Sequence, residues 1–142
     1  MGQGTPTVDP GPLDIAYLLH EPTTTVAVVG ATDDRAKYGS IIYRDLKSKG
    51  FTVFPVNRRR GTVDGDPSYP SLRDLPEAPT IVSIVVPPAE TLSVLSEAHN
   101  LGYHNVWIQP GAENEAVYAY LAEQPFNSLV GACIMVRSRT RA

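Results

Sequence analysis

Four short stretches of this 142-residue chain end an apolar run in small, rigid or polar residues: "GATDDRAKYGS" from Gly30, "PVNRRRG" from Pro55, "VPPAET" from Val86 and "QPGAEN" from Gln109. In the first, Gly30 lets a strand turn sharply, and a helix starting around Lys37, Tyr38, Gly39 and Ser40 offers free backbone N–H groups to an anion such as a pyrophosphate. In the second, Asn57 and then Arg58, Arg59 and Arg60 stand where dinucleotide-binding folds usually carry the acidic partner of a free ribose. Arginines there suit a phosphorylated ribose instead. Two cofactors carry one: NADP, phosphorylated at the 2′ position, and coenzyme A, phosphorylated at the 3′ position. The chain has no G-x-G-x-x-G, and the interval from Gly30 to Gly39 is longer than that fingerprint, so ordinary NAD binding loses support.

The third stretch, Val86-Pro87-Pro88, makes a stiff apolar lip that could flank an adenine or a pantetheine arm. Its structural role is to start the next helix, with Pro88 in the first turn. The fourth, Gln109-Pro110-Gly111, precedes another helix and offers hydrogen bonds to a polar ligand chain.

The elements that must position these residues are legible as short apolar runs: "TVAVVG" at 25 to 30, "FTVFPV" at 51 to 56, "TIVSIVV" at 80 to 86, "NVWIQ" at 105 to 109 and "SLVGA" at 128 to 132. They are β-branched and continuous, as strands covered on both faces should be. Between them, Tyr38, Ile41, Ile42 and Leu46 share one helical face, as do Leu92, Leu95 and Ala98, and then Val117, Tyr120 and Leu121. Gly50 and Gly102 mark the C-terminal ends of the first two helices. The alternation predicts a single α/β Rossmann-like doubly wound domain of about five parallel strands with helices on both faces. An extra N-terminal helix is expected because Ile15, Leu18 and Leu19 share a face. Residues 1–12, rich in Gly, Pro and Thr, read as a flexible tail, and 13–142 as the domain. The stretch from Gly61 to Pro76 reads as turns with one short helix. Ligands of such sheets bind outside the carboxyl ends of the strands, which is where all four stretches fall.

Composition narrows the function classes. Twelve Lys and Arg against fifteen Asp and Glu make the chain mildly acidic, which argues against a nucleic-acid or membrane-surface binder and confines any basic patch to one place. The single cysteine, Cys133, allows no intrachain disulfide, and no stretch reads as a signal peptide or membrane span, so a cytoplasmic protein is expected.

In order and spacing, "VAVVGATDD…YGS", "VFPVN", "VVPPAET", "WIQPGAENE" and "GACIMV" resemble the CoA-binding domain family, the small Rossmann-like proteins related to the N-terminal domain of succinyl-CoA synthetase α subunits and other NDP-forming acyl-CoA synthetases. The resemblance covers roughly residues 13 to 137. It implies a phosphate loop at Gly30, Ala31 and Thr32 with the helix start at Lys37 to Ser40. It also implies nucleotide-side contacts at Pro55, Val56, Asn57 and Arg58, the Val-Pro-Pro lip at Val86, Pro87 and Pro88, and a further loop at Gln109, Pro110 and Gly111. The last strand of such proteins commonly ends in Cys-Pro, whereas Cys133 is followed by Ile134.

No catalytic set is recognisable: there is no Ser-His-Asp order, no paired carboxylates at one strand end and no cysteine cluster. His20, His99 and His104 share no metal-ligand spacing and read as surface or packing residues, while Tyr103 and Trp107 read as core. Cys133 reads as a small buried hydrophobe, or as a thiol near the reactive end of a bound CoA. The expectation is a protein that carries, senses or buffers CoA or acyl-CoA. An NADP-dependent oxidoreductase module with Arg58 and Arg59 on the 2′-phosphate, or a ligand-free interaction subunit, are the alternatives, and a protein partner stays open.

Overall fold

The computed structural model describes residues 14–141, so the expected tail at 1–12 lies outside the described residues. A 3₁₀ turn at Ile15–His20, with Ile15 and Leu19 buried, takes the place of the expected N-terminal helix and leads into strand β1 (Thr25–Val29). Helix α1 (Tyr38–Ser48) then leads to β2 (Thr52–Val56), followed by a two-residue-per-strand hairpin of β3 (Thr62–Val63) and β4 (Asp66–Pro67) and a 3₁₀ turn at Leu72–Asp74. Thereafter β5 (Ile81–Ile84), α2 (Pro88–Leu101), β6 (Asn105–Ile108), α3 (Glu115–Glu123), β7 (Asn127–Val130) and the short α4 (Ile134–Arg137) alternate.

The five long strands form one all-parallel sheet in the order β2-β1-β5-β6-β7. Alternation along each strand divides the core between the two faces. Val26 and Val28 point with Trp107 toward Ile42, Tyr43, Leu46 and Ile134, and Ala27 and Val29 point with Ile84 toward Leu95, Ala98 and Val117. Helices α1 and α4 therefore cover one face, and α2 and α3 the other. Because β1 leaves toward α1 and its neighbour β5 leaves toward α2, a crevice opens between them at their carboxyl ends, the switch point of a doubly wound sheet. No helix among the described residues is long and apolar enough to cross a membrane.

Four local expectations are corrected. Tyr38 and Ile41 do not join the buried face of α1: they are 64% and 39% exposed, and the stripe that packs is Gly39, Ile42, Tyr43 and Leu46. Tyr43 displaces them because its hydroxyl finds a partner in Asp66, 2.6 Å away, so its ring can be buried without stranding a polar group. Strand β2 is an edge strand, exposed at Thr52, which is how it accommodates Pro55. The stretch after it holds a hairpin turning at Asp64 and Gly65, both at positive φ, as well as the 3₁₀ turn. The last strand ends at Val130, so Cys133 lies beyond it, half-buried, just ahead of α4.

Candidate functional site

The crevice at the switch point is a cleft of about 760 Å³. Its floor begins at Gly30, whose φ of 104° turns the chain out of β1. Gly39 packs directly on the carbonyl of Gly30, so tightly that a Cβ at position 39 would collide with it. This contact presses the start of α1 against the end of β1. Lys37 precedes the helix without a side-chain cap, which leaves the first N–H groups of α1 to solvent or to an anion. Thr32 Oγ1 accepts the backbone N–H of Asp34 and faces the cleft, whereas Ala31 and Ser40 are buried beneath the loop.

Asn57, at the end of β2, braces this loop from the side. Its Nδ2 donates to the carbonyl of Ala31 at 2.8 Å, and its Oδ1 accepts the backbone N–H of Arg59 at 2.8 Å. The three arginines that follow are in three different situations. Arg60 lies 3.6 Å from Asp33 of the loop after β1. Arg58 Nη2 donates to Glu90 Oε1 of α2 at 3.2 Å. Arg59 lines the cleft, and its guanidinium has no ion-pair or hydrogen-bond partner among the described residues. Lys37 is in the same position on the opposite side. The cleft thus offers two unpaired cations and an uncapped helix start, an arrangement suited to a ligand with at least two anionic groups. Val86 and Pro87 form the apolar wall, and Pro88 occupies the first position of α2.

Below the cleft, the hairpin is tied to both α1 and the loop. Asp64 donates its backbone N–H to Asp33 Oδ1 at 2.7 Å, and Lys47 Nζ contacts Asp64 and Asp66 at 3.1 and 2.7 Å. Hydrogen bonds from Lys47 and Tyr43 hold the Asp66 carboxyl below the usual carboxylate range. Burial, reinforced by Asp66, pushes the Tyr43 phenol far above its ordinary value, and the two aspartates raise Lys47.

Residues 24–139, which include every cleft residue named above, match the model of the CoA binding domain family. The chain belongs to that family. It is 34% identical over 84 residues to the α subunit of ADP-forming acetate–CoA ligase II of Pyrococcus furiosus, an alignment covering 58% of this chain and 18% of that protein. It is 39% identical over 62 residues to the ADP-forming acetate–CoA ligase I of Archaeoglobus fulgidus, covering 44% of this chain and 9% of that one. The matched part of the chain therefore spans less than a fifth of the length of either ligase. Among solved structures, a conserved hypothetical protein from Pyrococcus furiosus is 42% identical, with a TM-score of 0.78, over 81% of this chain and 99% of its own.

Within this CoA binding domain, not every residue singled out from the sequence meets the cleft. Gly30, Thr32, Lys37, Val56, Asn57, Arg58, Arg59, Val86 and Pro87 line it. Gly39 supports it from beneath, and Tyr38 projects into solvent. Pro55 is buried in β2. Gln109 is buried, with Nε2 donating to Ser83 Oγ at 3.0 Å and Oε1 accepting the N–H of Ile134 at 3.3 Å, so its amide joins β5, β6 and the final segment. Pro110 and Gly111 are exposed, and Gly111 donates its N–H to Glu113.

The sequence reading did not single out Asp33, Asp64 or Glu90, whose acidic side chains or backbone complete the frame. The only signal was position: Asp33 in the loop itself and Glu90 in the first turn of the helix after the lip. It also treated His99 and His104 as unrelated, whereas the turn at Gly102 brings His99 Nδ1 within 3.2 Å of His104 Nε2, both rings packing around Phe126. No group of three or more His, Cys, Asp or Glu side chains placed to hold a metal ion occurs among the described residues.

Proposed function

We propose that this domain binds coenzyme A or an acyl-CoA in the switch-point cleft and acts as a carrier, sensor or buffer of that ligand. The observation that carries this reading is the pairing of Lys37 with the start of α1 on one side and Arg59, backed by Arg58, on the other. The first side suits the pyrophosphate, and the second suits the phosphate on the ribose. Membership of the CoA binding domain family favours CoA over NADP, and so does the absence of the G-x-G-x-x-G fingerprint. Val86 and Pro87 supply an apolar surface beside the path between them, where an adenine or the pantetheine arm can lie. We place the protein in the cytoplasm, where its lone thiol would stay reduced.

Charge reversal at the phosphate-reading side tests this assignment. Arg59→Glu and Arg58→Glu are expected to weaken CoA far more than dephospho-CoA in calorimetric titrations, since a well-formed charge-assisted bond contributes roughly 1.5 to 3 kcal/mol. Equal losses for both ligands would mean that neither arginine reads the 3′-phosphate.

A further inference from the structure

Arg58 and Glu90 sit on opposite walls of the cleft, Arg58 just past β2 and Glu90 on the first turn of α2. Their 3.2 Å ion pair therefore crosses between the two walls that a bound ligand must lie against. Neither side chain is fixed by burial, at 71% and 44% exposed, and the Glu90 carboxylate has no other hydrogen-bond or ion-pair partner among the described residues. Arg60 is held by a residue of the loop it braces, and the Arg59 guanidinium has no partner among the described residues, so among these three arginines Arg58 alone is engaged there by a carboxylate that makes no other hydrogen bond or ion pair to the described residues.

We propose that Glu90 is an internal competitor for the ligand's terminal phosphate: in the empty protein its carboxylate occupies Arg58, and it must give way before a phosphate monoester can be gripped there. This rests on the reading of the cleft as a CoA site. A dianionic phosphate displaces a monoanionic carboxylate from a guanidinium because it brings more charge and more acceptor oxygens. Glu90 then stays nearby as a like charge, which further loosens the complex. A ligand without that phosphate leaves the Arg58–Glu90 pair undisturbed. Glu90 accordingly sets the affinity for the phosphate terminus alone, and keeps CoA exchangeable rather than tightly held.

The experiment is calorimetric titration of CoA and dephospho-CoA into the wild type, Glu90→Gln, Arg58→Ala and the double variant. Exposed ion pairs of this kind are weak, so Glu90→Gln is expected to tighten CoA roughly two- to fivefold while leaving dephospho-CoA unchanged. In the Arg58→Ala background the same substitution is expected to have no effect on CoA. If Glu90→Gln weakens CoA or leaves it unchanged, or tightens both ligands equally, or acts without Arg58, the competitor role is overturned. A wild type that binds neither ligand would instead remove the reading of the cleft on which the proposal rests.

Discussion

The Asn57 side chain donates to the carbonyl of Ala31 at 2.8 Å, so the end of β2 holds the loop that leaves β1 in place. Through its other amide atom the same side chain accepts the N–H of Arg59. One residue thereby links the loop after β1 to Arg59, the two parts of the cleft proposed to read anions. Asn57→Ala removes both bonds, each contributing about 1 kcal/mol. We expect CoA and dephospho-CoA to weaken together by roughly three- to tenfold, in contrast to the selective loss in Arg59→Glu. Calorimetry with both ligands separates these outcomes, and a loss confined to CoA would contradict the bracing role.

Gly39 is required by contact rather than by its own backbone conformation. A methyl group there would collide with the carbonyl of Gly30, which belongs to rigid backbone and cannot rotate away as a side chain would. Gly39→Ala is expected to destabilise the fold by about 1 to 3 kcal/mol, the usual cost of overpacking, and to weaken ligand binding by lifting the helix start off the loop. Urea denaturation measures the first effect. A variant as stable as the wild type would show that the contact yields easily.

Gln109 separates a structural from a ligand-binding role. Its buried amide satisfies Ser83 and the N–H of Ile134. Gln109→Met keeps the volume but leaves both groups unpaired, at about 1 to 3 kcal/mol for a buried unsatisfied group. The expected result is a lower urea midpoint with an unchanged slope. CoA affinity, measured well below the transition, is expected to be unchanged.

The hairpin anchor predicts how stability depends on pH. Asp66 titrates below its unfolded value, chiefly through its bonds from Lys47 and Tyr43. Its contribution is therefore present above the unfolded carboxylate pKa, near 3.9, and is lost as pH falls through the lower folded value. Lys47 and Tyr43 are both raised, so their contributions hold below their unfolded values, near 10.4 and 10, and fade as pH rises toward the folded ones. Asp66 and Lys47 are over a third exposed, so solvent limits the size of their effects. Urea midpoints of the wild type and Asp66→Asn are expected to differ at neutral pH and to converge in strong acid. A difference that persists unchanged in strong acid would show that the carboxylate's charge is not what matters.

The sheet was legible because β1 and β5 are short β-branched runs covered on both faces, and because Gly50 and Gly102, at φ of 92° and 82°, end their helices as glycines do. Periodicity was less informative for α1, where Tyr43 could be buried only because of a hydroxyl partner twenty-three residues later. The β3–β4 hairpin escaped notice since two-residue strands carry no measurable alternation. At the cleft, the sequence placed the loop, Asn57 and the arginines at one edge, but residue type could not separate Arg58, Arg59 and Arg60. Their guanidinium partners among the described residues, Glu90 for Arg58, none for Arg59 and Asp33 for Arg60, depend on the distance between β2, α2 and the loop in three dimensions. For the same reason Gln109 reads like a ligand contact in the chain and is an interior tie in the fold.

Melting temperature with a panel of ligands shows whether the cleft takes CoA, because a ligand that binds only the folded state raises it by mass action. With CoA, acetyl-CoA, NADP and NAD at equal concentration, each near a hundred times a micromolar dissociation constant, a specific ligand stabilises by about 2.7 kcal/mol. For a domain of this size that is a shift of several degrees, roughly 5 to 10 °C. Such a shift is expected with CoA and acetyl-CoA, and little or none with NADP and NAD. A clear shift with NADP and none with either CoA species would contradict this expectation.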